Sequence, residues 1–307
     1  MASYAALAAA PRPLLVTGMS GFLGEHLGRF LAQAGLRVAG TFLQRPIQVP
    51  RADAVPVDLR DKLAVGRLVR DMRPPVIFHT AAMTDPNQCE TDPQGAHHAI
   101  VGATANLIAA VQEHSPDTHL IALSTDLVFS GDNAPYSEVD GAKPLMVYGG
   151  QKRQMEVAVN AMATGTVVRA ALIYGPPATH KGSFLAWMRG TLEKGEPLTL
   201  FSDEVRTPVF SGDLCEALAS IAERRLFGLY HAGGPERLTR LEMGRLTCEV
   251  FGHPESLLAP RLLAEVPTAA PRPRDVSLDS SRLRDAIGYS PRTFREGLRA
   301  VAASIAE

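Results

Sequence analysis

The stretch Leu14–Gly24, LLVTGMSGFLG, joins an apolar run to three glycines spaced G-x-x-G-x-x-G at Gly18, Gly21 and Gly24. Leu14, Leu15 and Val16 read as a buried strand, and Phe22, Leu23, Leu27, Phe30 and Leu31 recur near helical spacing directly afterwards. A strand, a tight turn and a helix start in that order present backbone amides at the positive end of a helix dipole, where phosphate binds. Glycine lets a ligand approach without a Cβ in the way. Gly18, Ser20, Gly21, Phe22, Leu23 and Gly24 are therefore the expected cradle of a dinucleotide. By itself the motif also fits plain turn chemistry, since glycine supplies 26 of the 307 residues.

Composition sets the bounds around that stretch. With 46% hydrophobic and 21% charged residues the chain reads as an ordinary globular protein able to bury a core. A net charge of −1 provides no field for nucleic acid or an anionic membrane, so neither is an expected partner. Any phosphate must be held by a few placed groups. Cys89, Cys215 and Cys248 lie far apart and form no C-x-x-C pair, which points to a reducing cytoplasm and to no metal site. Residues 1–12 lack a basic leader and read as a frayed, disordered tail. No apolar run approaches the roughly 20 residues that span a bilayer.

Working outward from the glycine turn, Leu36–Phe42 reads as a second strand, completing a β-α-β unit. The end of that strand faces the adenosine ribose in a dinucleotide fold, and an acid there favours NAD. Here Thr41-Phe42-Leu43-Gln44-Arg45 offers no acid, and Arg45 can pair a 2′-phosphate, so NADP, with NADPH preferred over NADH, is expected. Arg45 as a solvated loop residue is the plain alternative. Val55–Leu59 reads as a third strand ending in Asp58, which can also cap the helix Lys62–Met72. Val76–His79 is a fourth strand leading to Ala81 and Ala82, small enough to leave room for a cofactor, with His79 a satisfied core histidine. A helix over Ala96–His114, a strand over Leu120–Leu123, a helix carrying Tyr148 and Lys152 and a strand over Thr166–Val168 follow.

This alternation predicts an α/β fold: a Rossmann-type doubly wound parallel sheet with a smaller, discontinuous C-terminal substrate-binding subdomain. The dinucleotide domain covers residues 13–175, with returning strands near 206–213 and 228–232, and residues 176–307 belong mainly to the subdomain. Helices are expected over Ser183–Lys194, Leu241–Phe251 and near Ser280–Ile287.

Tyr148 and Lys152 form Y-x-x-x-K, one turn apart on a single helix face. A nearby ammonium stabilises a phenolate, drawing a tyrosine pKa from about 10 toward neutrality and suiting the hydroxyl to proton transfer. Chance alone produces this spacing fairly often. Its order matters: Thr125 ends the preceding strand, within reach of the same carbonyl.

The glycine turn T-G-x-x-G-x-x-G, followed by Thr125, Tyr148 and Lys152, resembles the extended short-chain dehydrogenase/reductase superfamily. STDLVFSGDNAPYSEVD and KPLMVYGGQK are similar to the dTDP-4-dehydrorhamnose reductase group, as are DEVRTPVFSGDL, GLYHAGGPERLTRLEM and APRPRDVSLDSSRL downstream. The resemblance spans Leu14–Leu298. It implies an NADPH-dependent reduction at C4 of a keto sugar nucleotide, with Thr125, Tyr148 and Lys152 as the catalytic set. It also implies that Tyr148 and Lys152 contact the cofactor, Lys152 at the nicotinamide ribose, and that Asp58 and Leu59 lie beside the adenine.

Two departures stand out. The group commonly carries Arg-Thr-Ser-Trp where this chain reads Arg169-Ala170-Ala171-Leu172, and the superfamily often has an asparagine where this chain has Ile100. Both bring to mind the regulatory β subunit of methionine adenosyltransferase, a member of the same group that binds another enzyme. An epimerase that retains NAD is a further alternative. Dehydration is disfavoured because Asp126 is followed by Leu127 and not by glutamate.

On the substrate side, Arg206, Arg272 and Arg274 are expected diphosphate contacts or else surface arginines. Trp187 and Phe184 wall the sugar or fill core. Asp126 and Glu138 meet sugar hydroxyls or cap loops. The sequence is compatible with a homodimer.

Overall fold

The computed structural model describes residues 4–306. Its strands are β1 (Leu14–Thr17), β2 (Val38–Phe42), β3 (Ala52–Pro56), β4 (Val76–His79), β5 (His119–Thr125), β6 (Gly165–Ala170), β7 (Ile173–Tyr174), β8 (Leu198–Phe201), β9 (Val205–Arg206), β10 (Val209–Phe210), β11 (Gly228–Ala232), β12 (Leu238–Thr239) and β13 (Leu258–Arg261). Its α-helices are α1 (Ala5–Ala9), α2 (Phe22–Gln33), α3 (Lys62–Met72), α4 (Pro86–Thr91), α5 (Pro93–His97), α6 (Ala103–His114), α7 (Val147–Asn160), α8 (Phe184–Glu193), α9 (Ser211–Glu223), α10 (Arg240–Phe251), α11 (Ser281–Ile287) and α12 (Phe294–Ala306).

Seven strands form one parallel sheet in the order β11-β6-β5-β4-β1-β2-β3. Alternation along β1 shows why both faces are covered. Leu14 and Val16 join the core under α2 and α9, while Leu15 joins the core under α3, α6 and α7. The order reverses between β1 and β4, and the crevice beyond the strand ends at such a reversal is where α/β folds bind ligands. A third core of Leu185, Met188, Leu198, Leu200, Met243, Phe294 and Leu298 holds the C-terminal lobe together around α8, α10 and α12. No helix among the described residues is long and apolar enough to cross a membrane.

Several expectations are corrected. Within the stretch read as a frayed tail, Ala5–Ala9 is helical, with Leu7 buried and the amides of Ala6 and Leu7 donating to the Glu223 carboxylate at 2.8 and 2.9 Å. Residues 1–3 lie outside the described residues. The third strand is Ala52–Pro56, three residues earlier than expected; Pro56 sits at its end on the edge of the sheet, and the Val57 amide still donates to the Phe42 carbonyl at 2.9 Å. Asp61, not Asp58, caps α3, accepting from the amides of Leu63 and Ala64. The expected helix Ala96–His114 is interrupted by a π-helical turn, His98–Gly102, between α5 and α6.

Of the two strands expected to return from beyond residue 175, one joins the main sheet. Gly228–Ala232 forms the outer strand of the main sheet beside β6, α9 packs against α2, and α11 against β11. The other expected return does not reach that sheet. Thr207 and Pro208 break the segment, so that Val205–Arg206 pairs with Leu238–Thr239 and Val209–Phe210 with Ile173–Tyr174.

Candidate active site

A cleft of about 1220 Å³ runs over the C-terminal ends of β1, β4 and β5. On one side lies the glycine turn. Gly18 adopts φ +69°, and a Cβ there would stand 2.8 Å from Ala81 Cα; a Cβ on Gly24 would stand 2.2 Å from the Gly18 carbonyl oxygen. Turn, helix and the Ala81 loop are thus packed backbone to backbone. Gly21 caps α2 without a side-chain bond, and the amides of Phe22 and Leu23 have no partner among the described residues. Ser20, Leu59, Ala81 and Ala82 also line this side.

His79 stands beneath the turn. It is 2% exposed and bonds Thr17 Oγ1 through Nδ1 at 2.8 Å and Thr104 Oγ1 through Nε2 at 3.0 Å. Thr104 spends its own proton on the Ile100 carbonyl, so His79 Nε2 donates and Nδ1 accepts from Thr17. Burial, with Lys152 adding to it, lowers the His79 pKa to about 3, which keeps the ring neutral. This histidine is a structural clamp between β1, β4 and α6.

Arg45 is exposed at the rim and donates from Nη1 to the His180 carbonyl at 3.2 Å. His180 Nε2 in turn meets the Pro46 carbonyl at 2.8 Å, and Thr179 donates from both its amide and its hydroxyl to Glu25, each at 2.8 Å. The segment 177–182 is thereby strapped across the cleft from the C-terminal lobe to α2 and the loop after β2. Asp58 lines the cleft with its carboxylate engaged by Arg60 at 2.7 Å, a bond that holds its pKa below the usual range.

Thr125, Tyr148 and Lys152 converge at the end of β5, all buried, with Thr125 and Tyr148 facing the cleft. Burial pushes the Tyr148 pKa up, Asp126 and Cys89 add to the rise, and only the Thr125 hydroxyl opposes it. This reverses the expectation that Lys152 draws the phenol toward neutrality. The Lys152 ammonium donates instead to the Leu123 carbonyl at 2.8 Å, and burial lowers its pKa to about 8 against the raising effects of Glu156 and Cys89. Thr125 Oγ1 donates to Asp126 Oδ1 at 3.1 Å. Asp126 is itself pushed up by burial, with Arg206 opposing, its Nε 3.7 Å from Oδ2.

Facing this group is a charged wall that the sequence reading only partly found. Glu204, wholly buried, receives Arg206 at 2.9 Å, Arg240 at 2.8 Å and Arg272 at 3.6 Å. Three guanidiniums therefore surround one carboxylate, and burial pushes the Arg240 pKa down while the arginines pull that of Glu204 down. Arg240 Nη1, Arg272 Nε and Glu204 Oε2 have no hydrogen-bond partner among the described residues, and all three residues line the cleft. Signals for the missed pair exist in the chain. Glu204 and Arg206 are two apart, the period of a strand face, and Arg240 directly follows the Thr239 cap, where the helix dipole disfavours a cation.

The remaining candidates fall elsewhere. Trp187 is 50% exposed and does not line the cleft; one turn earlier Phe184 does, lying under the Arg240 guanidinium at 4.5 Å. Arg274 has a side chain 76% exposed, nearest Asp203. Glu138 accepts at 2.8 Å from the amide of His231 in the outer strand β11, away from the cleft, so it neither lines the substrate side nor caps a loop. Ala170, Ala171 and Leu172 form the floor where the group commonly has tryptophan.

A parallel sheet in this order, with a glycine turn at its reversal and a threonine, a tyrosine and a lysine at the end of β5, defines a Rossmann-type protein of the extended short-chain dehydrogenase/reductase kind. Within that class the chain belongs to the family described as RmlD substrate binding domain, whose model matches residues 12–307. It is 31% identical over 297 residues to methionine adenosyltransferase 2 subunit beta of Mus musculus, covering 94% of this chain and 86% of the relative. It is 28% identical over 298 residues to the probable low-salt glycan biosynthesis reductase Agl14 of Haloferax volcanii, covering 95% and 98%. The fold matches the crystal structure of Bacillus anthracis dTDP-4-dehydrorhamnose reductase in complex with NADP with a TM-score of 0.82, at 22% identity and covering 96% and 100%.

Proposed function

We propose that the protein is an NADPH-dependent reductase of a 4-keto sugar nucleotide. The observation that carries this reading is the juxtaposition of a buried tyrosine with an arginine wall across one cleft. A proton donor needs its proton, and the upward pressure on Tyr148 keeps it neutral throughout the physiological range. NADPH, when bound, supplies the hydride that reaches the keto carbon.

The chain's own part in the reaction follows from its geometry. The first-turn amides of Phe22 and Leu23 would donate to the cofactor diphosphate, in the close-packed turn formed by Gly18 and Gly24. Arg45 pairs the 2′-phosphate. Thr125 and Tyr148 donate to the substrate carbonyl, and Tyr148 passes its proton to that oxygen as it gains charge. Lys152 would hold the ribose hydroxyls, and a proton passed from its ammonium to the phenolate would be restored to it from water. Across the cleft, Arg206, Arg240 and Arg272 outnumber Glu204 and take the substrate diphosphate. The family membership supports this substrate class, and the reductase name of the Haloferax volcanii relative and the NADP in the Bacillus anthracis structure support a nicotinamide-dependent reduction.

A second reading, a regulatory subunit that binds NADP and a partner enzyme, is favoured by the 31% identity to methionine adenosyltransferase 2 subunit beta. One experiment separates them. Following NADPH absorbance with dTDP-, UDP- and GDP-linked 4-keto hexoses should show turnover with at least one of them. A Tyr148→Phe variant should lose about 10²–10⁴-fold in kcat with NADPH affinity unchanged. Absence of turnover with every keto sugar, together with tight capture of a partner enzyme that Tyr148→Phe leaves intact, would establish the regulatory reading instead.

A further inference from the structure

Tyr148, Lys152 and Glu156 follow one another at intervals of four along α7 and are all buried. The first two belong to the proposed catalytic set, and Tyr148 lines the cleft. Glu156, fully buried, takes a two-point grip from Arg169 of β6, Nε to Oε1 and Nη2 to Oε2, both at 2.8 Å. Its Oε1 also accepts the hydroxyl of Ser124 at 2.6 Å. Ser124 sits between Leu123, whose carbonyl holds the Lys152 ammonium at 2.8 Å, and Thr125. Helix α7 is therefore bolted to β5 at two points one helical turn apart, at Leu123 and Ser124, immediately before Thr125, the third member of the proposed catalytic set.

We infer that Glu156 is a positioning residue: through Ser124 and Arg169 it fixes the axial register of α7 against β5, so that Tyr148 and Lys152 meet Thr125, and it supplies the counter-charge beneath Lys152. This role rests on the assignment of Lys152 and Tyr148 to the reaction made above. A purely structural ion pair needs no strand hydroxyl at 2.6 Å, nor a place on the face of the helix that carries the catalytic pair. Arg169 is in turn held from behind, its Nη1 3.3 Å from His231 Nε2 and its guanidinium 4.9 Å from the centre of the Phe129 ring.

The charge around Lys152 gives the test its sign. The titratable groups facing Lys152 are His79 of β4, Cys89 of α4, and Tyr148 and Glu156 of α7. His79 is kept neutral by burial and Cys89 is pushed up to about 11, so both are uncharged at neutral pH, as is the phenol. Glu156 is left as the negative group of this set, with Arg169 at 2.8 Å and Arg153 at 3.3 Å partly cancelling it.

The chain has only five lysines, so Lys152 is readily followed by carbon NMR of protein labelled at lysine Cε, its resonance assigned by loss in Lys152→Met. Against the wild-type midpoint near 8, Glu156→Gln is expected to move the Lys152 titration down by roughly one pH unit or more. Arg169→Gln, which leaves the carboxylate uncancelled, is expected to move it up. Opposite shifts are not produced by general loosening of the fold. Ser124→Ala keeps the ion pair and buries no new charge. It should fold and lose about 3- to 10-fold in kcat, with the affinity for NADPH retained, because one hydrogen bond of register is worth about 1 kcal/mol.

A folded Glu156→Gln variant with an unmoved Lys152 midpoint would overturn the inference. So would Ser124→Ala with wild-type kcat should the charge variants fail to fold. If no keto sugar is turned over at all, the proposed reaction fails while the NMR arm still decides whether Glu156 governs Lys152.

Discussion

On the side of the glycine turn the cleft is lined by backbone amides and small side chains, whereas the facing side presents three guanidiniums gathered on one buried carboxylate. The first wall comes from a contiguous stretch, Leu14–Gly24, closed by Ala81 from the neighbouring strand end. The second is assembled from Glu204 and Arg206 on and beside β9, Arg240 at the start of α10 and Arg272 in a proline-rich loop. Each wall suits a phosphate, but by different physics. The amide wall uses fixed dipoles whose position follows from local backbone geometry, and the arginine wall uses full charges that must be held out of water by tertiary packing.

Acid should separate the two halves by the largest margin. His79, His119 and His231 all lie in the seven-stranded sheet, with pKa values lowered mainly by burial to about 3, about 4 and about 3. A histidine held neutral in the fold but free to protonate when unfolded contributes stability in full above about 6.5, and that stability is lost as pH falls toward the folded value. By pH 5 the loss is roughly 2 kcal/mol for each. Glu204 is lowered from 4.5, so its contribution is present above that value and is lost only as pH falls below it. Hydrogen exchange between pH 7 and 5 should therefore show β4, β5 and β11 losing protection while α10 keeps its own. Simultaneous loss in both regions would erase the distinction.

Glu204→Gln attacks the arginine wall directly. With three guanidiniums left around a neutral amide, denaturant unfolding should show a loss of about 3–5 kcal/mol, the cost of breaking a buried ion pair. Gly24→Ala attacks the other wall, where the new Cβ would lie 2.2 Å from the Gly18 carbonyl oxygen. A destabilisation of about 1–3 kcal/mol is expected from such overpacking, and calorimetric titration should show NADPH binding weakened as the turn opens. The smallest effect belongs to Arg45→Ala at the rim, since an exposed guanidinium loses much of its pairing energy to water. The preference for NADPH over NADH should fall by roughly 10-fold, with NADH affinity unchanged. An unaltered preference would assign the 2′-phosphate to another group on that rim.

The dinucleotide half was legible because its signals are local. An apolar run, a glycine spacing and a helical period place β1, the turn and α2, and repetition of strand and helix gives the parallel sheet. Errors there were of register and of ends. Strand β3 begins and ends three residues earlier than its apolar run suggested, and Asp61 displaced Asp58 as the cap because it stands immediately before Lys62. The C-terminal lobe was legible only in fragments. Arg206 and Arg272 were recognisable as phosphate-type residues, yet nothing in the linear order announces that they share Glu204 with Arg240, or that Phe184 faces the cleft while Trp187 faces water.

The amino-acid sequence by itself determined the class of fold, the glycine turn at the sheet's reversal and the positions of Thr125, Tyr148 and Lys152 near the end of β5, because strand period, helix period and glycine geometry act over a few neighbouring residues. Tertiary structure decided the direction in which burial moves the pKa values of Tyr148 and Lys152, and the composition of the arginine wall. Desolvation and charge pairing depend on which groups, tens to hundreds of residues apart, are excluded from water together.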